Sequence, residues 1–196
     1  MSAREKKRAE FISGKQRSRR SNRLVIVIFV LVAVVGVGWF AYLTRDTAVL
    51  PRRYEGGSYN IGKTPDYKGR TISMTDISNR VRDGKIIISL QEVIDNSIIY
   101  SEYQNAGERK AITSFITPAG RLIVAIAMCE PCRSERFHIE ENILVCDTCG
   151  TRWYLNDLRG ISGGCPQYPP EELPYEVQDG KIFIPEDIVK EWQPRI

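Results

Sequence analysis

All five cysteines of this 196-residue chain lie between Cys129 and Cys165, and four of them form two Cys-x-x-Cys pairs. The pairs are Cys129-Glu-Pro-Cys132 and Cys146-Asp-Thr-Cys149, with thirteen residues between them. Each pair places two thiolates on one tight turn, and two such turns facing each other complete a tetrahedral four-sulfur site. The spacing therefore predicts a metal centre held by Cys129, Cys132, Cys146 and Cys149.

Three kinds of centre fit this pattern. A zinc ribbon would use one Zn²⁺ to lock two hairpins together. Redox-active or structural disulfides suit thiols in an oxidising compartment outside the cytoplasm. An iron–sulfur centre also takes four thiolates, so the spacing of the cysteines does not separate these alternatives.

Two single residues are further candidates for this site. Cys165 is the odd cysteine and follows two glycines. It is a candidate alternative ligand, a thiol beside the metal, a site for an incoming metal ion, or a free thiol without function. His138 is the only histidine and lies in an alternating strand, where a structural role is favoured over that of an auxiliary ligand. The acids near the cysteines, Glu130, Glu135 and Asp147, are interpreted as a solvated face.

Short strands and tight turns deliver the cysteines. Residues 111–117 and 121–127 form a predicted hairpin that leads into Cys129, and residues 137–139 and 143–145 form one that leads into Cys146. The remaining predicted elements are strands at 85–90 and 98–103, a hairpin of 175–177 with 181–184, and helical turns at 90–94 and 185–192. Many short strands with little helix predict a small all-β sandwich or barrel over residues 71–196.

The N-terminal part of the chain is different in character. Residues 24–43 are twenty uncharged, mostly apolar residues, and residues 1–23 carry nine Lys and Arg against two acids. A helix of that length rises about 30 Å, which predicts a single transmembrane helix. The positive-inside rule explains the basic tail better than nucleic-acid binding does, and it predicts a cytoplasmic N-terminus with the later residues outside. Residues 44–70 are predicted to be a tether.

A series of motifs resembles the FtrD-like membrane iron–sulfur proteins. In order along the chain, these motifs are Met128-Cys-Glu-Pro-Cys132, Phe137-His-Ile139, Cys146-Asp-Thr-Cys-Gly-Thr151 and Ile161-Ser-Gly-Gly-Cys165. Residues 121–184 also resemble a Rieske domain, with cysteines where the ligand loops of that domain carry histidines. This second resemblance implies a Rieske-like sandwich or barrel in which the loop around Cys165 covers the centre.

These resemblances imply a function as well as a fold. They favour a [2Fe–2S] cluster on the four paired cysteines, with zinc as the alternative and copper or thiol chemistry behind it. They imply a membrane-bound one-electron carrier, linked to iron transport or respiration, that works with an unidentified redox partner and not with nucleic acid. The chain shows no Gly-rich phosphate loop and no Gly-x-Ser-x-Gly motif, so a carrier is favoured over an enzyme.

Overall fold

Runs of β-branched residues separated by Gly, Asp and Pro turns give the later part of the chain its strands. The computed structural model describes residues 6–7, 25–39, 52–105 and 107–196. Contacts divide the chain into two units, Met1–Asp46 and Thr47–Ile196. In the first unit, residues 25–39 form helix α1, and residues 6 and 7 are also helical.

The predicted transmembrane helix at residues 24–43 is wrong. Within the described residues, no helix is both long enough and apolar enough to cross a membrane. Helix α1 has fifteen described residues, which rise about 22 Å, whereas the hydrocarbon core of a bilayer is about 30 Å thick. Leu24, residues 40–43 and nearly all of the predicted basic tail lie outside the described residues. The fold class is therefore corrected to mostly β with a short N-terminal helix.

Among its described residues, the second unit contains three sheets and two short helices. Its strands are β1 (Thr71–Ser73), β2 (Thr75–Ile77), β3 (Arg80–Arg82), β4 (Lys85–Ser89), β5 (Ile98–Asn105), β6 (Glu108–Ile116), β7 (Leu122–Ile126), β8 (Phe137–Glu140), β9 (Ile143–Cys146), β10 (Arg152–Tyr154), β11 (Gly160–Ser162), β12 (Glu176–Gln178) and β13 (Lys181–Pro185). Its helices are α2 (Leu90–Asn96) and α3 (Glu186–Glu191). The three predicted hairpins are confirmed as the antiparallel pairs β6–β7, β8–β9 and β12–β13.

The sheet with strand order β2-β5-β6-β7 separates two hydrophobic cores. Successive side chains of a strand point to opposite faces of its sheet. In β7, Ile123 and Ala125 belong to the first core, whereas Leu122 and Val124 belong to the second. Because both faces are covered, β7 is buried along its whole length, which explains its uninterrupted apolar sequence.

The first core lies between this sheet and the sheet β1-β8-β9-β10-β11. It includes Phe137, Trp153 and three of the cysteines, Cys129, Cys146 and Cys165. The second core packs against the sheet β12-β13-β4-β3 and the helices α2 and α3. The five cysteines therefore lie on one side of the central sheet, and the second core contributes no thiol to them.

Residues 52–70, which belong to the predicted tether, pack against later residues of the second unit. Tyr67 is only 1 % exposed, and its hydroxyl donates a hydrogen bond of 2.9 Å to the carbonyl oxygen of Ile116. Arg53 forms a 2.6 Å ion pair with the buried Glu171. The composition of this segment did not reveal that Tyr67 and two arginines, Arg52 and Arg53, have buried partners.

Candidate metal centre

Each Cys-x-x-Cys pair is presented by the end of a strand and is closed by the same kind of turn. Cys129 follows β7, and Cys146 is the last residue of β9. The Arg133 N–H donates to the Cys129 carbonyl at 2.8 Å, and the Gly150 N–H donates to the Cys146 carbonyl at 2.9 Å. Both donors have left-handed backbones, with φ of 58° and 66° respectively. We call residues 129–133 the first knuckle and residues 146–150 the second knuckle.

The two knuckles bring four sulfur atoms together. The Sγ atoms of Cys129, Cys132, Cys146 and Cys149 all lie within 4.8 Å of one another. The Cys129 and Cys149 sulfurs are 3.8 Å apart, and those of Cys132 and Cys146 are 3.6 Å apart. Each close pair therefore takes one sulfur from each knuckle, so neither knuckle forms the site alone.

This arrangement fits a metal with thiolate ligands. Two thiolates bound to one tetrahedral metal at about 2.3 Å lie about 3.8 Å apart, which matches both close pairs. All five cysteines carry free thiols, so the four sulfurs are available as ligands. Four sulfur donors suit zinc or iron–sulfur groups rather than Mg²⁺ or Ca²⁺, which prefer oxygen.

The protein environment shifts the pKa values of the four thiols in different directions. The interaction with the neighbouring Cys146 thiol, followed by burial, raises the pKa of Cys129 well above its usual range. The same interaction lowers the pKa of Cys146 to about 4. Burial raises the pKa of Cys132 to about 11. Burial also acts to raise the pKa of Cys149, but hydrogen bonds with Thr151 outweigh it and the pKa is lowered. The second knuckle is thus the more acidic half of the site.

The first knuckle is held by an ion pair with the end of the chain. The Glu130 side chain is 1 % exposed and that of Arg195 is 10 % exposed, and their ion pair measures 2.5 Å. The Arg195 backbone N–H also donates to Glu130, and the Arg195 side chain donates to the Pro169 carbonyl at 2.9 Å. The interpretation of Glu130 as part of a solvated face is therefore wrong, because this acid is buried and paired.

The second knuckle is held through Thr151, the residue after Gly150. The Thr151 side chain is fully buried, and its Oγ1 lies 3.2 Å from the Cys149 sulfur. The same oxygen accepts a 3.1 Å hydrogen bond from the Cys165 N–H. Because the oxygen accepts from Cys165, its own hydrogen is free to be donated to the Cys149 sulfur.

Of the two further candidate residues, Cys165 lies beside the four sulfurs and His138 does not. The Cys165 sulfur is 4.0 Å from the Cys149 sulfur, beside the group of four but not part of it. His138 Nδ1 instead lies 2.6 Å from a carboxylate oxygen of Asp147, with both side chains partly exposed. The structure thus brings Cys165 to the centre and pairs His138 with an acid of the second knuckle.

Sequence reasoning missed three residues around this centre. Glu130 and Arg195 are 65 positions apart in the chain, and no local pattern connects them. Thr151 had a visible signal, since it closes the Cys-Asp-Thr-Cys-Gly-Thr motif, but its position alone did not show that its hydroxyl contacts a ligand sulfur.

Comparison with known proteins assigns the chain to a family. Residues 93–196, which are more than half of the chain, match the family described as "Membrane iron-sulfur containing protein FtrD-like". No curated protein matches the chain. No solved structure matches it either, so the Rieske likeness stays unconfirmed. The matched range includes all five cysteines, Thr151 and Arg195. The chain belongs to the FtrD-like family of membrane iron–sulfur containing proteins.

Proposed function

We propose that this protein is a one-electron carrier that works at a membrane, with iron held by Cys129, Cys132, Cys146 and Cys149. The observation that carries the proposal is a group of four cysteine sulfurs in a chain of an iron–sulfur family. Iron bound by thiolates supplies an oxidation-state change of one electron without the loss of a ligand. The protein then has to hold the iron and keep it close to a partner.

The burial of the four thiols suits electron exchange with a protein partner. Cys129 and Cys146 are buried, with 0 % and 1 % exposure, whereas Cys132 and Cys149 are half-buried. The centre therefore has one side in the hydrophobic core and one side at the surface. The core side excludes water and fixes the sulfurs, and the surface side leaves a short path to a docked donor or acceptor.

The ligand set predicts the redox behaviour. We propose a [2Fe–2S] cluster as the iron form, in line with the family resemblance. Four thiolates place more negative charge on such a cluster than two thiolates and two imidazoles do, so its potential should be near that of plant-type ferredoxins, about −400 mV. With no imidazole among the four ligands, the potential should also change little with pH near neutrality.

The partner is proposed to be a membrane redox or transport system. The family description supports a membrane setting. A carrier that takes up and delivers single electrons could serve the oxidation-state changes of iron during transport, or a respiratory chain. We favour an iron-transport system as the partner, because the family resemblance implies a link to iron transport. A respiratory chain is the alternative partner.

A redox titration of the full-length protein, purified without oxygen, tests this proposal. Visible absorption from thiolate-to-iron charge transfer should bleach on uptake of one electron, at a strongly negative potential that stays constant from about pH 6 to pH 8. A positive midpoint that falls steeply with pH would contradict the ligand set. The absence of any reducible chromophore in oxygen-free preparations would remove the carrier function.

A structural zinc domain that recruits a protein partner is the second candidate. Its support is the span of the four sulfurs, because a limit of 4.8 Å suits one tetrahedral ion, whereas two bridged irons would spread the two sulfur pairs further apart. Metal analysis separates the candidates. One zinc per chain with no iron would select the structural role, and iron with inorganic sulfide would select the cluster.

A further inference from the structure

The fifth cysteine lies against the half-exposed side of the centre. The Cys165 side chain is buried, with 6 % exposure, and its sulfur is 4.0 Å from that of Cys149. Cys149 is one of the two half-buried thiols of the group of four. Cys165 is thus the one thiol near the centre that the four-sulfur site does not use, and its sulfur contacts a proposed ligand that solvent can reach.

The loop that carries Cys165 is fixed in this place by several contacts. The Cys165 N–H donates to Thr151 Oγ1 at 3.1 Å, and the Trp153 indole N–H donates to the Pro166 carbonyl at 3.1 Å. Gly163 has φ of +109°, and a Cβ there would lie 2.6 Å from the Thr151 Cα, so only glycine lets the loop come this close. The nearness of Cys165 to Cys149 therefore follows from the fold and not from a chance side-chain orientation.

A disulfide between these two residues requires only a small movement. The sulfur–sulfur bond length is about 2.05 Å, so the two atoms, which are 4.0 Å apart, must approach by about 2 Å. The remaining sulfurs are paired across the knuckles at 3.6 and 3.8 Å as proposed co-ligands of the metal. A metal-loaded site therefore leaves Cys165 as the thiol that is free to react with an oxidised Cys149.

We propose that Cys149 and Cys165 form a disulfide on exposure to a hydroperoxide, and that this bond releases the metal from the centre. The proposal rests on the proposed function only in requiring a metal held by the four thiolates. The site would then act as a peroxide-sensitive switch, holding metal while reduced and losing it when oxidised.

The chemistry balances with the hydroperoxide as oxidant. The Cys149 sulfur attacks one oxygen of hydrogen peroxide, the O–O bond breaks, and hydroxide leaves while Cys149 becomes a sulfenic acid. The Cys165 thiol then attacks the Cys149 sulfur, forming the S–S bond and expelling the oxygen as water, with the thiol proton. The two sulfurs lose two electrons, and the peroxide gains them. A disulfide sulfur carries no negative charge, so the site would lose one of its four thiolate ligands and hold a metal less tightly.

The test uses the full-length protein loaded with zinc alone, so that its result does not depend on whether the natural group is iron. Hydrogen peroxide is added, released zinc is followed with a coloured chelator, and disulfides are mapped by mass spectrometry of peptides. We expect zinc release together with a Cys149–Cys165 disulfide, and rebinding after reduction with dithiothreitol. In Cys165→Ala, release should be slower by about tenfold or more, because an intramolecular partner accelerates bond formation.

Two variants serve as controls. Ser162→Ala changes an exposed residue of the same region without touching a thiol, and it should release zinc at the normal rate. Cys165→Ser checks that the slower release does not come from a cavity at position 165. Equal release rates in the parent protein and both Cys165 variants would overturn the switch. So would a mapped disulfide between Cys129 and Cys149 or between Cys132 and Cys146, or a failure of both Cys165 variants to bind zinc, which would make Cys165 a ligand.

Discussion

The two knuckles share one backbone design but are supported in different ways. In each, the residue after the second cysteine is left-handed and closes the turn onto the first cysteine. That residue is glycine in the second knuckle, whereas in the first it is Arg133, for which a left-handed backbone costs about 1 kcal/mol or more. The first knuckle therefore needs help from outside, and the buried Glu130–Arg195 ion pair supplies it.

The contacts of the second knuckle reach the sulfur itself. The Thr151 hydroxyl lies 3.2 Å from the Cys149 sulfur, and the pKa values of Cys146 and Cys149 are lowered while those of Cys129 and Cys132 are raised. The difference suggests a division of roles. The first knuckle depends on an ion pair with a residue distant in the chain, whereas in the second knuckle a hydroxyl contacts a proposed ligand sulfur directly.

Removal of one ligand thiol should have the largest effect on metal binding. The effect should be the same for a cysteine of either knuckle. Cys129→Ser and Cys146→Ser should each abolish stoichiometric metal binding, because every close sulfur pair uses one cysteine from each knuckle. Metal content of the purified proteins measures this, with Cys165→Ser as the control that keeps all four ligands. Full metal content in either ligand variant would show that one knuckle is dispensable.

Loss of the buried ion pair should weaken the first knuckle. Arg195→Ala leaves the buried Glu130 carboxylate without its partner, which should lower the free energy of unfolding by about 3 kcal/mol. Metal affinity should fall by about tenfold or more, since contacts behind a ligand turn orient the ligands. Urea unfolding of the metal-free protein and competition with a chelator measure the two effects.

An exposed ion pair beside the second knuckle gives the matched control. Arg152 and Glu140 form a 2.7 Å pair with side chains 35 % and 41 % exposed, so Arg152→Ala should cost less than about 1 kcal/mol. Equal losses from Arg195→Ala and Arg152→Ala would show that the pair with Glu130 does not support the first knuckle in particular.

Removal of the Thr151 hydroxyl should change the potential more than the affinity. A hydrogen bond to a ligand sulfur favours the more negative, reduced state, so Thr151→Val should lower the midpoint potential of the iron form. A bond worth about 1 kcal/mol corresponds to about 40 mV for one electron. Thr113→Val is the matched control, because that buried hydroxyl donates to the Ile99 carbonyl at 3.0 Å and not to a sulfur. Equal midpoints in Thr151→Val and Thr113→Val would contradict this role.

The exposed pair of His138 and Asp147 should matter least. Because His138 lies beside an acid of the second knuckle and outside the four-sulfur group, His138→Gln should retain the full metal content. Stability should change by less than about 1 kcal/mol, as for other partly exposed ion pairs. Loss of metal from this variant would instead make His138 an auxiliary ligand.

Features that depend on residues close together in the chain could be predicted from the sequence, whereas features that depend on distant residues could not. The Cys-x-x-Cys spacing and the hairpin turns are local patterns, so the four-sulfur group and the hairpins that deliver it could be predicted. The partners of Glu130, Arg53 and Tyr67 lie far away in the chain, and burial of these residues follows only from the assembled fold. Hydropathy over residues 24–43 predicted a spanning helix, whereas no helix among the described residues is long and apolar enough to cross a membrane.

Iron and acid-labile sulfide in the full-length protein, purified without oxygen, give the most direct test of the central claim that four cysteines hold an iron–sulfur centre. The account predicts iron with inorganic sulfide in equal amounts, and loss of both in Cys129→Ser and Cys146→Ser. One zinc per chain, with neither iron nor sulfide in the same preparation, would contradict it.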